Sequence, residues 1–417
     1  MVVELQPGLL PVIGGDLRVP VARGGMVRYA NLDYAASAPA LESVARKVAD
    51  FLPFYASVHR GAGYASQVST NAYEGARGTV ADFVGARSDD TVIFTRNTTD
   101  SFNLLASIVD GTTVVIDIEH HANLLPWLNR GATLLPSGDR IETLLDTLTE
   151  HLRANRTTLV TITGASNVTG ERLPLRRFAD VAHRYGARLA VDGAQLVPHR
   201  RVDMAADDID YLAFSGHKLY APYGAGVLVG RTDWLDTGRA YLLGGGAVKT
   251  VTRESTEWKS GAERHEAGSP NVLGAVAIAA AIEAITRLDS NDWVGHETAL
   301  RDRLADGLAA IDGVRIHRIF ADSTDPVGVV GFSIPGISSR RAAFSLSAEW
   351  GIGVRDGKFC AHPLLERFGG PSVRASLGIG SSEPDVDRLL EAVAELVANP
   401  ARPRFELLDG EWHTIDR

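Results

Sequence analysis

Four apolar runs in this 417-residue chain end abruptly in side chains able to do chemistry. The run Tyr211–Phe214 passes straight into Ser215, Gly216, His217 and Lys218, then a Gly/Pro turn and another apolar run. A lysine at a strand end, beside a glycine that lets a second group approach, suits a reactive amine; a solvated surface lysine is the plainer alternative. The run Ala187–Val191 closes on Asp192, followed by Gly193, Ala194 and Gln195. A carboxylate there needs a hydrogen-bonding or cationic partner, such as a protonated pyridine nitrogen, or else it caps the next helix. The run Thr113–Glu119 ends at His120 and His121, one of which could stack on a planar ligand. Neighbours in sequence point in different directions and no further cluster has zinc spacing, so no metal site is expected. Finally, Val92–Thr95 leads into Arg96, Asn97, Thr98, Thr99, Asp100 and Ser101 ahead of a helical run. Hydroxyls and free N–H groups at a helix N-terminus bind phosphate, or simply cap the helix.

Cys360 is the single cysteine, which excludes an intrachain disulfide and a cysteine-rich metal site. It reads either as a small structural side chain or as a nucleophilic thiol.

These groups need a scaffold. From about Asp89, short β-branched runs alternate with amphipathic stretches such as Arg177–Tyr185, the pattern of an α/β fold with a mostly parallel sheet and helices on both faces. Ligands in such sheets bind beyond the carboxyl ends of the strands, where the four clusters fall. After Gly268 come an Ala-rich helix, Val272–Leu288, and a second helical stretch around Glu297–Ile311. Then follow a strand within Val327–Ile334, a helix near Ser339–Trp350, a strand at Ile352–Arg355 and a last helix, Pro384–Ala398. The expectation is a large α/β domain over 30–285 and a smaller α+β domain formed by 1–29 and 286–417.

Composition narrows the class. Hydrophobic residues make up 45% and charged residues 22%, as in a soluble globular protein. With 42 basic against 51 acidic side chains, the net charge of −9 argues against a nucleic-acid partner. The longest apolar run, near Gly274–Ile285, contains Glu283 and falls short of the roughly 20 residues of a membrane helix. The opening MVVELQPGLL has Glu4 and no basic leader, so a cytoplasmic location is expected.

Ten stretches then stand in one order along the chain: LDYAASAP, SVHRG, TRNTTDSFNLLA, EHHANLLPW, SNVTGERLPL, VDGAQLVPH, FSGHKLYAPYGAGVL, EAGSPN, VRDGKFCAHPL and VRASLGIG. Together they resemble the class V aminotransferase family of fold-type I pyridoxal-phosphate enzymes, most closely its group II cysteine desulfurases (selenocysteine lyase-like). The resemblance implies that Lys218 carries pyridoxal 5′-phosphate as a Schiff base. It implies that Asp192 pairs with the pyridine nitrogen, that Gln195 lies near the ring hydroxyl, and that His120 stacks on the ring, with His121 as the alternative. Thr98, Thr99, Ser215 and His217 fall at phosphate-binding positions, and Ser269 at one that reaches the neighbouring subunit's phosphate, which implies a homodimer. Arg374 matches the arginine that clamps the substrate carboxylate, with Asn167 and Arg355 as further contacts. Cys360 stands where the family carries the thiol that takes sulfur, or selenium, from L-cysteine or a related amino acid. The products would be alanine and an enzyme persulfide for an acceptor protein. One departure is that Lys358 and Phe359 precede the cysteine where the group tends to have histidines. A transaminase, a carbon–sulfur lyase with an incidental Cys360, and a non-catalytic scaffold are the competing readings.

Overall fold

The computed structural model describes residues 8–401 and 403–415; Met1–Pro7, with the Glu4 on which the expectation for the N-terminus rested, lie outside them. The larger sheet has seven strands: β1 (Asp90–Thr95), β2 (Thr113–Ile116), β3 (Thr133–Leu135), β4 (Leu159–Thr163), β5 (Arg188–Asp192), β6 (Tyr211–Ser215) and β7 (Gly226–Arg231). Their order is β1-β7-β6-β5-β4-β2-β3. Strands β2 to β6 pair in parallel, whereas β7 runs antiparallel to both of its neighbours. Every residue of β4 and β6 is buried, because helices cover both faces and leave no side of the strand for polar residues.

The helices that position the site are α1 (Tyr64–Phe83), α2 (Thr98–Ile108), α3 (His121–Leu128) and α4 (Val272–Thr286). Helix α4 is apolar all round for a visible reason. Its Ala275, Val276 and Ala279 pack with Tyr73 and Ala76 of α1, while Ile278, Ile282 and Ile285 belong to the main core with Phe214 and Val227.

A second, antiparallel sheet contains β8 (Arg315–Ile316), β9 (Val329–Ser333), β10 (Arg355–Gly357) and β11 (Ser372–Ser376), in the order β8-β9-β11-β10. Its core joins Phe332 and Val373 to Leu304 of α5 (Ser290–Ala309), Leu346 of α6 (Ser339–Trp350) and Leu389 of α7 (Glu383–Ala398). Ala30 and Leu32 pack into this second core although they precede the large sheet. The run expected as one strand, Ile352–Arg355, divides: Ile352–Gly353 pairs in parallel with Ala30–Asn31, and Arg355 starts β10. Helix α5 begins at Ser290, earlier than the apolar pattern indicated, because Asp289 caps it by accepting from Asn291 N–H.

Charged side chains tie the two cores together. Glu297 of α5 is buried and accepts from His199, from Arg200 at 2.6 Å and from the Gly328 N–H at 3.1 Å. A buried carboxylate is tolerated only when paired in this way.

Candidate active site

Because β7 is antiparallel to both neighbours, β1 and β6 run in the same direction and end on the same edge. Gly226 of β7 is opposite Thr95 on one side and Ser215 on the other. A Cβ at this position would come within 2.5 Å of the Asn97 backbone, so glycine is what lets the start of α2 lean toward β6. There the Thr98 N–H donates to Ser215 Oγ at 2.8 Å, and the two hydroxyls lie 2.6 Å apart. Asn97 caps α2 by accepting from Asp100 N–H at 3.0 Å. The result is a helix N-terminus lined with hydroxyls, a ready anion site. His217 also faces it; burial and the nearby Lys218 push its imidazole down to about 4, so it is neutral at pH 7.

Next to this corner is a cavity of about 230 Å³. Lys218 lies in its wall, with its amine pushed down to about 8 by burial against the opposing pull of Asp192. Asp192 closes β5, accepts from Ala194 N–H at 2.9 Å, and is raised by its burial. His120 precedes α3 and accepts from Ala122 N–H through Nδ1 at 3.0 Å, which fixes the ring proton on Nε2 in the neutral form. Burial, with Lys218, pushes its imidazole down to about 3. His121 turns away from the cavity, its ring 4.5 Å from that of His362.

The opposite wall comes from the smaller unit. Arg374 of β11 is buried, and its guanidinium donates through Nη1 to Asn167 O and through Nη2 to Asp33 Oδ1, each at 3.0 Å. Its Nε is buried with no partner among the described residues. The guanidinium as a whole lines the cavity, and a donor fork of this kind is a place for a carboxylate. Burial pushes the Arg374 guanidinium down and the Asp33 carboxyl up. Arg355 is opposite Arg374 in the β10–β11 register and lines the same cavity.

Cys360 is exposed at the cavity, with φ +53°, and Phe359 before it has φ +49°. Two successive left-handed residues other than glycine cost roughly 1–2 kcal/mol each. Hydrogen bonds offset that cost: Asn167 Nδ2 donates to Phe359 O, and His121 N–H to Cys360 O, both at 2.8 Å. The Lys358 ammonium is engaged 3.7 Å from Glu366, so Arg355 is the cation of this segment that shares the cavity with the thiol.

Of the residues singled out from sequence, Lys218, Asp192, His120, Thr98, Thr99, Ser215, His217, Asn167, Arg355, Arg374 and Cys360 all line this one cavity. Two do not. Gln195 lies behind the wall, its Nε2 donating to Ala35 O at 2.7 Å and its buried Oε1 without a partner among the described residues. Ser269 is exposed and borders a different cavity, beside Arg96 and Tyr241. Sequence reasoning missed Asp33 and Phe359 as site residues. Asp33 lies within the LDYAASAP stretch, and its only advance signal was that placement.

The donor set matches pyridoxal 5′-phosphate group by group. The hydroxyl-lined helix start suits the phosphate, Asp192 the ring nitrogen, Lys218 the aldehyde carbon, and the neutral His120 the ring face. The orphaned Gln195 Oε1 adds an acceptor behind the wall.

Comparison with known proteins agrees. The family described as Aminotransferase class-V matches residues 30–389. A cysteine desulfurase of Dickeya dadantii (strain 3937) is 38% identical over 383 residues, spanning 87% of this chain and 90% of its own length. A probable cysteine desulfurase of Chlamydia muridarum is 36% identical, spanning 91% of this chain and 97% of its own. Among solved structures, the cysteine desulfurase CsdA of Escherichia coli superposes with a TM-score of 0.78 at 34% identity, over 89% of this chain and 95% of its own. The apo cysteine desulfurase of Thermococcus onnurineus NA1 does so with 0.82 at 31%, over the same shares.

Proposed function

Because the chain belongs to the class-V aminotransferase family, whose members depend on pyridoxal 5′-phosphate, we propose that it is a cysteine desulfurase. Its substrate in this reading is L-cysteine or the selenium analogue, and its products are alanine and a persulfide on Cys360. The observation that carries the proposal is the shared cavity: the Lys218 amine, the Arg374 guanidinium and the Cys360 thiol all open onto it.

The bound cofactor would supply one thing, an electron sink that makes the substrate Cα proton removable. The rest falls to the chain. Arg374 holds the substrate carboxylate where its guanidinium lines the cavity, with Arg355 adding positive charge. Asp192 would pair with the ring nitrogen of the bound cofactor and hold a proton there. The Lys218 amine, neutral in a useful fraction near pH 8, takes the Cα proton. The Cys360 thiolate then attacks the substrate sulfur: an S–S bond forms and the substrate C–S bond breaks. The electron pair stays on the substrate carbon, which collects the proton that the substrate thiol gives up. The proton that Lys218 took then returns to Cα, so substrate thiol plus enzyme thiolate become alanine plus enzyme persulfide, with atoms and charge conserved.

The proposal includes a cytoplasmic homodimer in which Ser269 completes the phosphate site of a second copy, and an acceptor protein that removes the sulfur. Exposure of Ser269 away from its own chain's cavity supports the first part. No described helix is long and apolar enough to cross a membrane.

Incubation with L-cysteine tests the reading. Equimolar alanine and protein-bound or reduced sulfur are expected. Pyruvate in place of alanine would assign a carbon–sulfur lyase, and a keto acid with retained sulfur a transaminase.

A further inference from the structure

Phe359 joins the two walls of the cavity, and nothing in the reaction as described uses it. Its ring is buried and lies under the Arg374 guanidinium, 5.2 Å from centroid to carbon. Its carbonyl accepts from Asn167 Nδ2, and the Asn167 carbonyl accepts in turn from Arg374 Nη1. Arg374, Asn167 and Phe359 therefore form a closed circuit of three contacts, with Cys360 the next residue along the chain. Both Phe359 and Cys360 are left-handed, so the backbone at the thiol is held by these contacts rather than by its own preference.

We infer that Phe359 is a positioning residue that transmits occupancy of the Arg374 carboxylate site to the Cys360 thiol. An aromatic face attracts a guanidinium in proportion to its unneutralised charge. Asp33 neutralises part of that charge already, and a carboxylate arriving at the cavity side of the guanidinium neutralises more and competes with the ring for the cation, so the ring and the backbone that follows it shift with the ligand. The thiol then takes its working position only when an amino acid is clamped, which discriminates against amines and thiols that lack a carboxylate. This rests on the desulfurase reading for its purpose, though not for its test.

The test is alkylation of Cys360 by iodoacetamide in the cofactor-loaded enzyme, followed by mass spectrometry, with saturating L-alanine or ethylamine. The two amines differ chiefly by the carboxylate, and cofactor absorbance reports their binding. L-Alanine is expected to slow alkylation at least fivefold while ethylamine leaves it within twofold. Phe359→Met, or Phe359→Leu should the first misfold, removes the aromatic face and should reduce the alanine effect to that of ethylamine. Phe359→Tyr restores the face and should restore the contrast. Equal effects of the two amines on the wild type would overturn the inference, as would a full alanine effect in the methionine variant, which would signify simple occlusion. Failure of the desulfurase reading is visible separately, as absence of alanine and persulfide from L-cysteine.

Discussion

The backbone N–H of His121 donates to the carbonyl of Cys360 at 2.8 Å, so the helix that follows the cavity-lining His120 also holds the loop of the thiol. His121 is the first residue of α3, the one helical position where proline is well tolerated. His120 before it has φ −63° and ψ 146°, the extended geometry that a residue preceding proline adopts. His121→Pro should therefore remove this one donor and leave the helix intact. Loss of about 1 kcal/mol of positioning implies roughly fivefold slower sulfur release. His121→Ala keeps the N–H and should behave like the wild type. Indistinguishable turnover of the two variants would show that the bond does not matter.

Lys218 gives a pH dependence with a definite sign. Burial lowers its amine from the ordinary 10.5 to about 8, so the reactive neutral form is lost as pH falls below 8. Attachment of pyridoxal 5′-phosphate to the cofactor-free protein, followed by visible absorbance, should quicken about tenfold per pH unit up to 8 and level off above it. His120 and His217, at about 3 and 4, add no inflection between pH 6 and 8. Lys218→Ala should abolish the signal, and borohydride reduction of the wild type should leave a pyridoxyl group on that peptide. A rise that continues to pH 10 would mean that an exposed lysine is reacting.

Asp192→Asn replaces a buried carboxylate by an isostere that still accepts from Ala194 N–H. Folding and cofactor binding should persist, while exchange of the alanine Cα proton into deuterium oxide slows by about a hundredfold or more. Proton NMR reads this directly. Unaltered exchange would place the partner of the ring nitrogen elsewhere.

Cys360→Ala separates the nucleophile from the structural cysteine. The thiol is exposed, so its removal leaves no core cavity, and alanine meets the same left-handed backbone. The melting midpoint should move by less than about 3 °C. The cofactor spectrum and L-cysteine binding should remain, with sulfur release falling at least a hundredfold. Retained activity would remove the thiol from the mechanism, and a large drop in the midpoint would point to a packing role.

What was legible in the sequence is what strands expose at their ends. Asp192, His120 and the Ser215–Lys218 run each interrupt an apolar stretch with groups that need a polar partner when buried, and the sheet gathers such interruptions along one edge. Hydrophobic periodicity carries no information on strand direction, so the antiparallel course of β7 could not be read from it. It is equally silent on long-range partners. Asp33 meets Arg374 only because Ala30–Asn31 pairs with Ile352–Gly353, more than 300 residues away along the chain. The left-handed backbone at Phe359 and Cys360 belongs to residue types that give no sign of it. Gln195 was read from motif position, and the hydrogen bond that draws it to Ala35 is a tertiary detail.

The insertion of β7 between β1 and β6 has a consequence for the order of events on the ribosome. The Thr98–Ser215 contact needs Gly226 and its strand in place, so a nascent chain ending before Arg231 has Asp192 and Lys218 but no finished phosphate corner. Translation from the end of β1 to the end of β7 takes on the order of ten seconds. During that interval β1 has no sheet neighbour and must wait, unpaired or chaperoned, for a strand that has not been made. Arg374 emerges later still, so vectorial synthesis delivers the Asp192 and Lys218 wall of the cavity before the Arg374 wall.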